Sequence, residues 1–377
     1  MPWTKGTQAR IMQLESLLRS RGLEAAVISG KKEVYYFTGF WTTRLILPTY
    51  LFLRVGREPV LLTGSTEKDI ASKTFGGSLV LFENYKLEER MIAYPDYVAG
   101  EAEKLVREYL SGAKRMGVDA WNLPHTLYHA LRRGVGDFEL TDISQDILIM
   151  RAVKHDDELE LIKRSCELVD KAYNMAKKLV TPGRTEVEVY GEIHKELSRI
   201  VGTFQYFAGD FVSGERALDI GGPPTSRVLR EGDPFIFDLW VTTMEYWSDT
   251  CRTYVVGGRP SEGLKKLHSI VLRALERGME MLRPGETGAQ IYSTIRGVFK
   301  EAGYGDYFPH HAGHGIGLDG QEPPFFIPGS AEVLKPGMVV TLEPGLYVPG
   351  IGGVRVENNF LVTEDGPKVL TFAPTDL

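Results

Sequence analysis

Asp238, Asp249, His314, Glu343 and Glu357 lie in or beside short apolar, strand-like runs: FIFDLWVTTMEYWSDTCRTYVV, HAGHGIG, VVTLEPGLY and VRVENNFLV. A carboxylate is costly to bury unless it is paired or holds a cation. Eleven residues separate Asp238 from Asp249, which lets both point into one cavity from facing strands of a hairpin. Pro344 and Gly345 follow Glu343 and can fix the end of its strand, while alternation in VRVENNFLV puts Arg355 and Glu357 on one face. The glycines around His314 permit a close backbone approach. Taken singly, each residue has a plainer reading: a strand-end carboxylate, a loop histidine, a glutamate paired with Arg355. Taken together, four carboxylates and an imidazole suit Mn²⁺, Co²⁺, Zn²⁺ or Fe²⁺, among which ligand type does not choose. They are more than one such ion needs, which favours two divalent metal ions with shared oxygens.

The elements that must position this set begin with an alternation of helix and strand. Residues 7–21 carry Ile11, Leu14, Leu17 and Leu18 at helical spacing. AAVISG is a short strand, followed by the apolar run VYYFTGF; TYLFLRV and PVLLTG read as strands joined by a Gly-Arg-Glu turn. After LVLF, residues 96–111 form an amphipathic pattern, MGVDA a strand, PHTLYHALRRG a helix, and FELTDI leads out. This predicts an α/β domain over 1–150, with its boundary between 145 and 155. RAVKHDDELELIKRSCELVDKAYNMAKKLV then reads as one long helix with a stripe of Leu159, Ile162, Cys166, Val169, Ala172 and Met175.

Residues 151–377 contain a faint repeat. LVTPGRTEVEVYGEI (179–193) resembles LRPGETGAQIYSTI (282–295), and LREGDPFIFD (229–238) resembles LKPGMVVTLE (334–343), at offsets of 102 and 105 residues. Such spacing predicts two α+β halves related by a pseudo-twofold, with Asp238 and Glu343 in equivalent positions and a site between the halves.

Composition narrows the classes. A 377-residue chain, 43% hydrophobic and 25% charged, is an ordinary globular protein with room for two domains. A net charge of −6 without a basic block gives nucleic acid no attraction, and no apolar run is long enough to span a membrane. The N-terminus lacks the apolar core of a signal peptide. Cys166 and Cys251 are too few for a disulfide framework and favour a cytoplasmic setting, although one bridge between them stays open.

In its motif blocks FDLWVTTMEYWSDTCRTY, HAGHGIGLD, TLEPGLYVPG and GGVRVENNFLVTEDGPKVLT the chain resembles the pita-bread metallopeptidases. These include prolidase, aminopeptidase P and methionine aminopeptidase, with creatinase as a non-metal relative. RIMQLESLLRSRGLEAAVISGKKEVYYFTGF resembles the creatinase/prolidase-type N-terminal domain, which favours prolidase or aminopeptidase P. The resemblance implies that Asp238 chelates one ion, Asp249 and Glu357 bridge both, and His314 and Glu343 complete the other shell. It implies Glu343 as the proton carrier, His310 as a holder of substrate (with His311 the alternative), and Arg355 as the residue orienting a bridging carboxylate. A homodimer and a small peptide substrate, an Xaa-Pro dipeptide or short peptide, are also implied. Two positions depart from the family pattern: Gly221 and Gln321 stand where proline-specific members carry histidines. Those departures leave open a hydrolase or lyase of a small non-peptide amide, and a binding protein that has lost catalysis.

Overall fold

The computed structural model describes residues 4–42, 47–86, 91–92, 95–203 and 206–377. The chain divides into two compact units, residues 1–150 and 151–377. The first comprises α1 (Lys5–Ser20), β1 (Ala25–Ile28), α2 (Lys31–Thr38), β2 (Tyr50–Arg54), β3 (Val60–Gly64), α3 (Lys68–Thr74) and β4 (Ser78–Phe82). A short ladder of β5 (Tyr85–Lys86) and β6 (Met91–Ile92) precedes α4 (Pro95–Tyr109), β7 (Arg115–Val118), α5 (His125–Val135), β8 (Glu139–Asp142) and the start of α6 (Ser144–Ala152). Six strands form one mixed sheet in the order β4-β3-β2-β1-β7-β8. Its core includes Val27, Phe52, Leu62, Val106, Met116 and Leu131.

The apolar run after Ala25–Ile28, which the sequence left unassigned, is helix: Gly30 caps α2 and Gly39 closes it in the left-handed region at φ 72°. A short apolar run does not distinguish a buried helix from a strand, and Tyr35, Tyr36 and Phe37 are all buried. FELTDI does not merely lead out of the domain, because Glu139–Asp142 pairs in parallel with β7 as the sheet's edge.

In the second unit the long helix is broken. α6 ends at Ala152, and α7 (Asp156–Leu179) begins after His155, whose side chain and Glu158 form a capping box. Ile162, Cys166, Val169 and Ala172 of the expected stripe are buried, while Leu159 and Met175 lie at its partly exposed edges. α8 (Glu186–Val201), β9 (Phe207–Ser213), β10 (Pro234–Thr243) and β11 (Tyr246–Val255) complete one half. The other half holds α9 (Glu262–Glu280), α10 (Gly288–Glu301), β12 (His314–Gly315), β13 (Glu322–Phe325), β14 (Val339–Leu342), β15 (Gly345–Val348), β16 (Gly352–Arg355), β17 (Asn358–Thr363) and β18 (Gly366–Val369).

The repeat has a physical basis in matched caps. Thr185 caps α8 and Thr287 caps α10, each in a reciprocal box with Glu188 or Gln290. Each cap also bridges the turn leading to its strand, Thr185 to Val228 and Thr287 to Val333. The halves have separate cores: α7 and α8 against Phe211, Phe235 and Phe237, and α9 and α10 against Val340, Leu342 and Phe360. Equivalence fades at the carboxylates. Asp238 stands in the middle of β10, whereas Glu343 stands one residue beyond β14.

The two half-sheets are stitched together along β11. Glu357 N–H donates to Cys251 O at 2.9 Å, and Arg252 Nη1 donates to Glu357 O at 2.6 Å. Thr253 Oγ1 accepts from Arg355 N–H and donates to Arg355 O, both at 2.9 Å. No described helix is long and apolar enough to cross a membrane, and both cysteines are free and buried. Replacing Thr253 with the isosteric valine leaves both backbone groups of buried Arg355 without their partner. Urea unfolding should show a loss of about 1–3 kcal/mol; an unchanged midpoint would remove this stitch from the account.

Candidate metal centre

The β-hairpin of β10 and β11 explains why two aspartates share a face. Asp238 lies opposite Cys251, and Trp240 lies opposite Asp249. Asp249 is therefore two positions along from the residue facing Asp238, and side chains alternate with a period of two. Glu357 enters beside Cys251 through its backbone bond, and Asn359 holds Asp249 by accepting from its N–H at 3.2 Å and donating to its carbonyl. His314 begins β12, and its N–H donates to Thr341 Oγ1 at 3.3 Å. Glu343 N–H donates to Ala312 O at 3.0 Å, which brings it alongside the histidine loop.

The structure thus gathers all five residues of the sequence-derived set. Asp249, His314 and Glu357 converge, each offering one atom within 4.8 Å of the others, and His310, His311 and Glu343 form a second such group. His314 Nε2 lies 3.4 Å from Glu343 Oε1 and 3.7 Å from Asp249 Oδ2. Asp238 adjoins them and is held by Arg355 Nη2 at 2.6 Å. The pairing of Glu357 with Arg355, the plainer reading of that alternation, is not made: Arg355 bonds Asp238 and Asp210, and both Glu357 oxygens lack a hydrogen-bond partner.

These residues fit divalent cations on their own chemistry. Among the described residues, Asp238 Oδ1, Asp249 Oδ1 and both oxygens of Glu357 are buried acceptors without a hydrogen bond. Orphaned buried acceptors at such density are rare in folded proteins. The imidazole is presented in the required tautomer. His314 Nδ1–H donates to Gly315 O at 2.9 Å, which leaves the Nε2 lone pair facing the carboxylates. Burial pulls the His314 pKa down and so favours that neutral ring.

Electrostatics carry the same message. Burial, then the neighbouring carboxylates Glu357 and Asp238, drive Asp249 well above the usual carboxylate range. Burial followed by Asp238 and Glu343 does the same to Glu357. Asp238 rises to about 6 through burial, against the pull of Arg355. Burial works to raise Glu343 as well, but the imidazoles of His311, His314 and His310 hold it low. A pair of cations in this pocket would offset the repulsion that otherwise forces protons onto it.

His310 and His311 are placed differently. His310 is nearly enclosed: its Nδ1–H donates to His311 O at 2.7 Å and its Nε2 meets Tyr347 Oη at 3.0 Å. Burial pushes its pKa down to about 4. His311 is more open, with Nδ1 3.0 Å from Glu343 Oε1. Of the two departures from the family pattern, Gln321 is exposed. Gly221 abuts Asp210, a residue that the sequence reading passed over although it too interrupts an apolar strand, FAGDFVS. Tyr347 was also missed and carries no sequence signal. It accepts from Arg355 Nη1 at 2.9 Å and so joins the arginine to His310.

A pH effect follows with a definite sign. Asp249 and Glu357, raised well above the usual carboxylate range by burial and their acidic neighbours, bind protons in the folded, metal-free protein more tightly than in the unfolded chain. Their contribution to stability is fully present below the unfolded pKa and is lost as pH rises through the folded value. His310 and His314, held low, act oppositely, but above about pH 7 they are mostly neutral in both states. The melting temperature of the metal-free protein should fall as pH rises above about 7, and Glu357→Gln should flatten that fall. Equal slopes in wild type and variant would contradict this electrostatic picture.

The comparisons with known proteins agree with the geometry. Residues 160–364 match metallopeptidase family M24, and residues 10–153 match the creatinase/prolidase N-terminal domain. The Xaa-Pro dipeptidase of Pyrococcus furiosus is 31% identical, covering 98% of this chain and 99% of the relative. The solved Xaa-Pro dipeptidase from Bacillus anthracis superposes with a TM-score of 0.87 at 30% identity, over 98% of this chain and 99% of that one. The prolidase from Pyrococcus horikoshii OT3 gives 0.84 at 30% identity, with the same coverage. With its creatinase-like N-terminal domain and pita-bread catalytic domain, the chain belongs to metallopeptidase family M24.

Proposed function

We propose that this protein is a dinuclear-metal hydrolase that cleaves the Xaa-Pro bond of dipeptides or short peptides. The observation that carries the reading is the group of partnerless carboxylate oxygens beside the free Nε2 of His314. Asp238, Asp249, His314, Glu343 and Glu357 would hold the ions. When bound, two divalent ions supply Lewis acidity, polarising a carbonyl and lowering the pKa of water. The substrate assignment draws on the dipeptidases that resemble this chain over nearly its full length.

The chain's own residues divide the remaining work. Glu343 carries the proton from the attacking water toward the leaving amine, and its low pKa means that it starts as a carboxylate. His311, raised by Glu343 against the effect of burial, faces that carboxylate from the open side and is the better-placed imidazole to meet a substrate carbonyl or its tetrahedral form. His310 supports it from behind, with both ring nitrogens engaged. Arg355 orients Asp238. A homodimer and a cytoplasmic setting complete the proposal, the latter supported by two buried cysteines left as thiols.

A second reading, hydrolysis of a small non-peptide amide, is favoured by a single observation. Neither Gly221 nor Gln321 can supply a protonated imidazole to the reacting group. Reconstitution with Mn²⁺, Co²⁺, Zn²⁺ or Fe²⁺, followed by a screen of Xaa-Pro dipeptides, longer Xaa-Pro peptides and cyclic amides, separates the two. The expected result is metal-dependent release of proline-containing products. Turnover of cyclic amides with every Xaa-Pro substrate untouched would replace the first reading with the second. Glu343→Gln should lower kcat by about 10²–10⁴-fold, assayed at saturating metal; a variant with near-normal kcat would remove Glu343 as proton carrier.

A further inference from the structure

Asp210 belongs to no expected ligand set, yet it sits against the centre. The register of β9 on β10 places Asp210 directly opposite Asp238, so their side chains share a face. Two carboxylates opposed in this way repel, and the cation that resolves the conflict is Arg355, buried on β16. Its Nη2 bonds Asp238 Oδ2 at 2.6 Å and Asp210 Oδ2 at 3.1 Å. Its Nη1 donates to Tyr347 Oη at 2.9 Å and to Ile220 O. Asp210 Oδ1 is held in turn by Gly222 N–H at 2.8 Å.

The space that Asp210 fills is the space of another side chain. A Cβ built on Gly221 would lie 2.1 Å from Asp210 Oδ2 and 2.7 Å from Oδ1. The backbone at Gly221 is not in the left-handed region, so a side chain is excluded there by the carboxylate and not by conformation. Glycine at 221 and aspartate at 210 are thus one sterically linked choice.

We propose that Asp210 is a positioning residue: from the volume left open by Gly221, its carboxylate fixes the Arg355 guanidinium between Asp238 and Tyr347. Its negative charge offsets that of the arginine, so Asp238 keeps one oxygen available for a cation instead of collapsing onto the guanidinium in a two-pronged pair. The chain of contacts Asp210–Arg355–Tyr347–His310 then connects the edge of the pocket to the histidine loop. This rests on the reading of the site as a dinuclear metal centre, and it adds a residue to that site's supporting frame.

The test uses the full-length protein and three readouts: Mn²⁺ affinity by calorimetry, kcat and KM on the best substrate, and metal-free melting temperature. Asp210→Ala should weaken Mn²⁺ binding and lower kcat by about 10–100-fold, the usual range for removing a residue that orients a metal ligand. Asp210→Asn keeps an acceptor for Gly222 N–H but not the charge. It should hold the melting temperature near that of wild type while losing most of the metal affinity. Gly221→Ala should reproduce the loss by displacing the carboxylate, and the Asp210→Ala/Gly221→Ala double variant should be no worse than Asp210→Ala within about twofold. Losses that multiply in the double variant, or Mn²⁺ affinity unchanged in Asp210→Ala, would overturn the proposal. If wild type itself binds no divalent ion, the metal reading fails instead. Crystals of the metal-free proteins then decide the positioning role: displacement of Arg355 in Asp210→Ala supports it, and an arginine still seated on Asp238 and Tyr347 overturns it.

Discussion

Like charges packed into a buried pocket constrain the rest of the catalytic unit. Asp238, Asp249, Glu343 and Glu357 are all buried, and with metal removed their repulsion has to be met by protons or by fixed cations. Every nearby element answers that requirement in a particular place. Arg355 answers it at Asp238, the histidine loop answers it at Glu343, and Asn359 pins the backbone of Asp249. Glu357 is answered least: burial, then Asp238 and Glu343, push its pKa well up against the weaker pull of Arg355 and Thr341. That is where a cation gains most.

A repelling cluster of this kind needs a frame that does not yield. The frame lies in backbone contacts, not in the charged groups. Thr253 and Cys251 bind the end of β16 at Arg355 and the link that follows it at Glu357, and Arg252 reaches past β11 to the carbonyls of Glu357 and Ala373. A further buried carboxylate, Glu186, organises the loop ahead of β10 by accepting from Ser213 N–H, Thr225 N–H and their two hydroxyls. That loop carries Gly221 and Gly222, so the floor beneath Asp210 is fixed by a polar network and not by apolar packing alone.

Residues that break a local pattern were legible in the sequence; those that depend on a distant partner were not. Asp238, Asp249 and Glu357 stand out because a carboxylate inside an apolar run needs a reason. The same signal was present at Asp210, but its meaning depends on Arg355, 145 residues away, and on the volume beside Gly221. Tyr347 looks like any strand aromatic until its hydroxyl is seen to join Arg355 to His310. The repeat was readable through its Pro-Gly turns, since the same cap recurs at Thr185 and Thr287. Periodicity was silent where burial was complete, as at Tyr35–Phe37, and too weak to show the edge strand at Glu139–Asp142.

The matched caps and separate cores of the two halves bear on ancestry. Each half packs its own pair of helices on its own strands, and each sends carboxylates to the shared pocket, Asp238 from the middle of β10 and Glu343 from just beyond β14. Two identical copies of such a half, placed side by side, would already enclose a symmetric ring of acidic groups. The arginine beside Asp238 and the imidazoles beside Glu343 both come from the second half, so the two halves share a plan of helices and caps while one of them supplies the cationic and basic groups of the pocket.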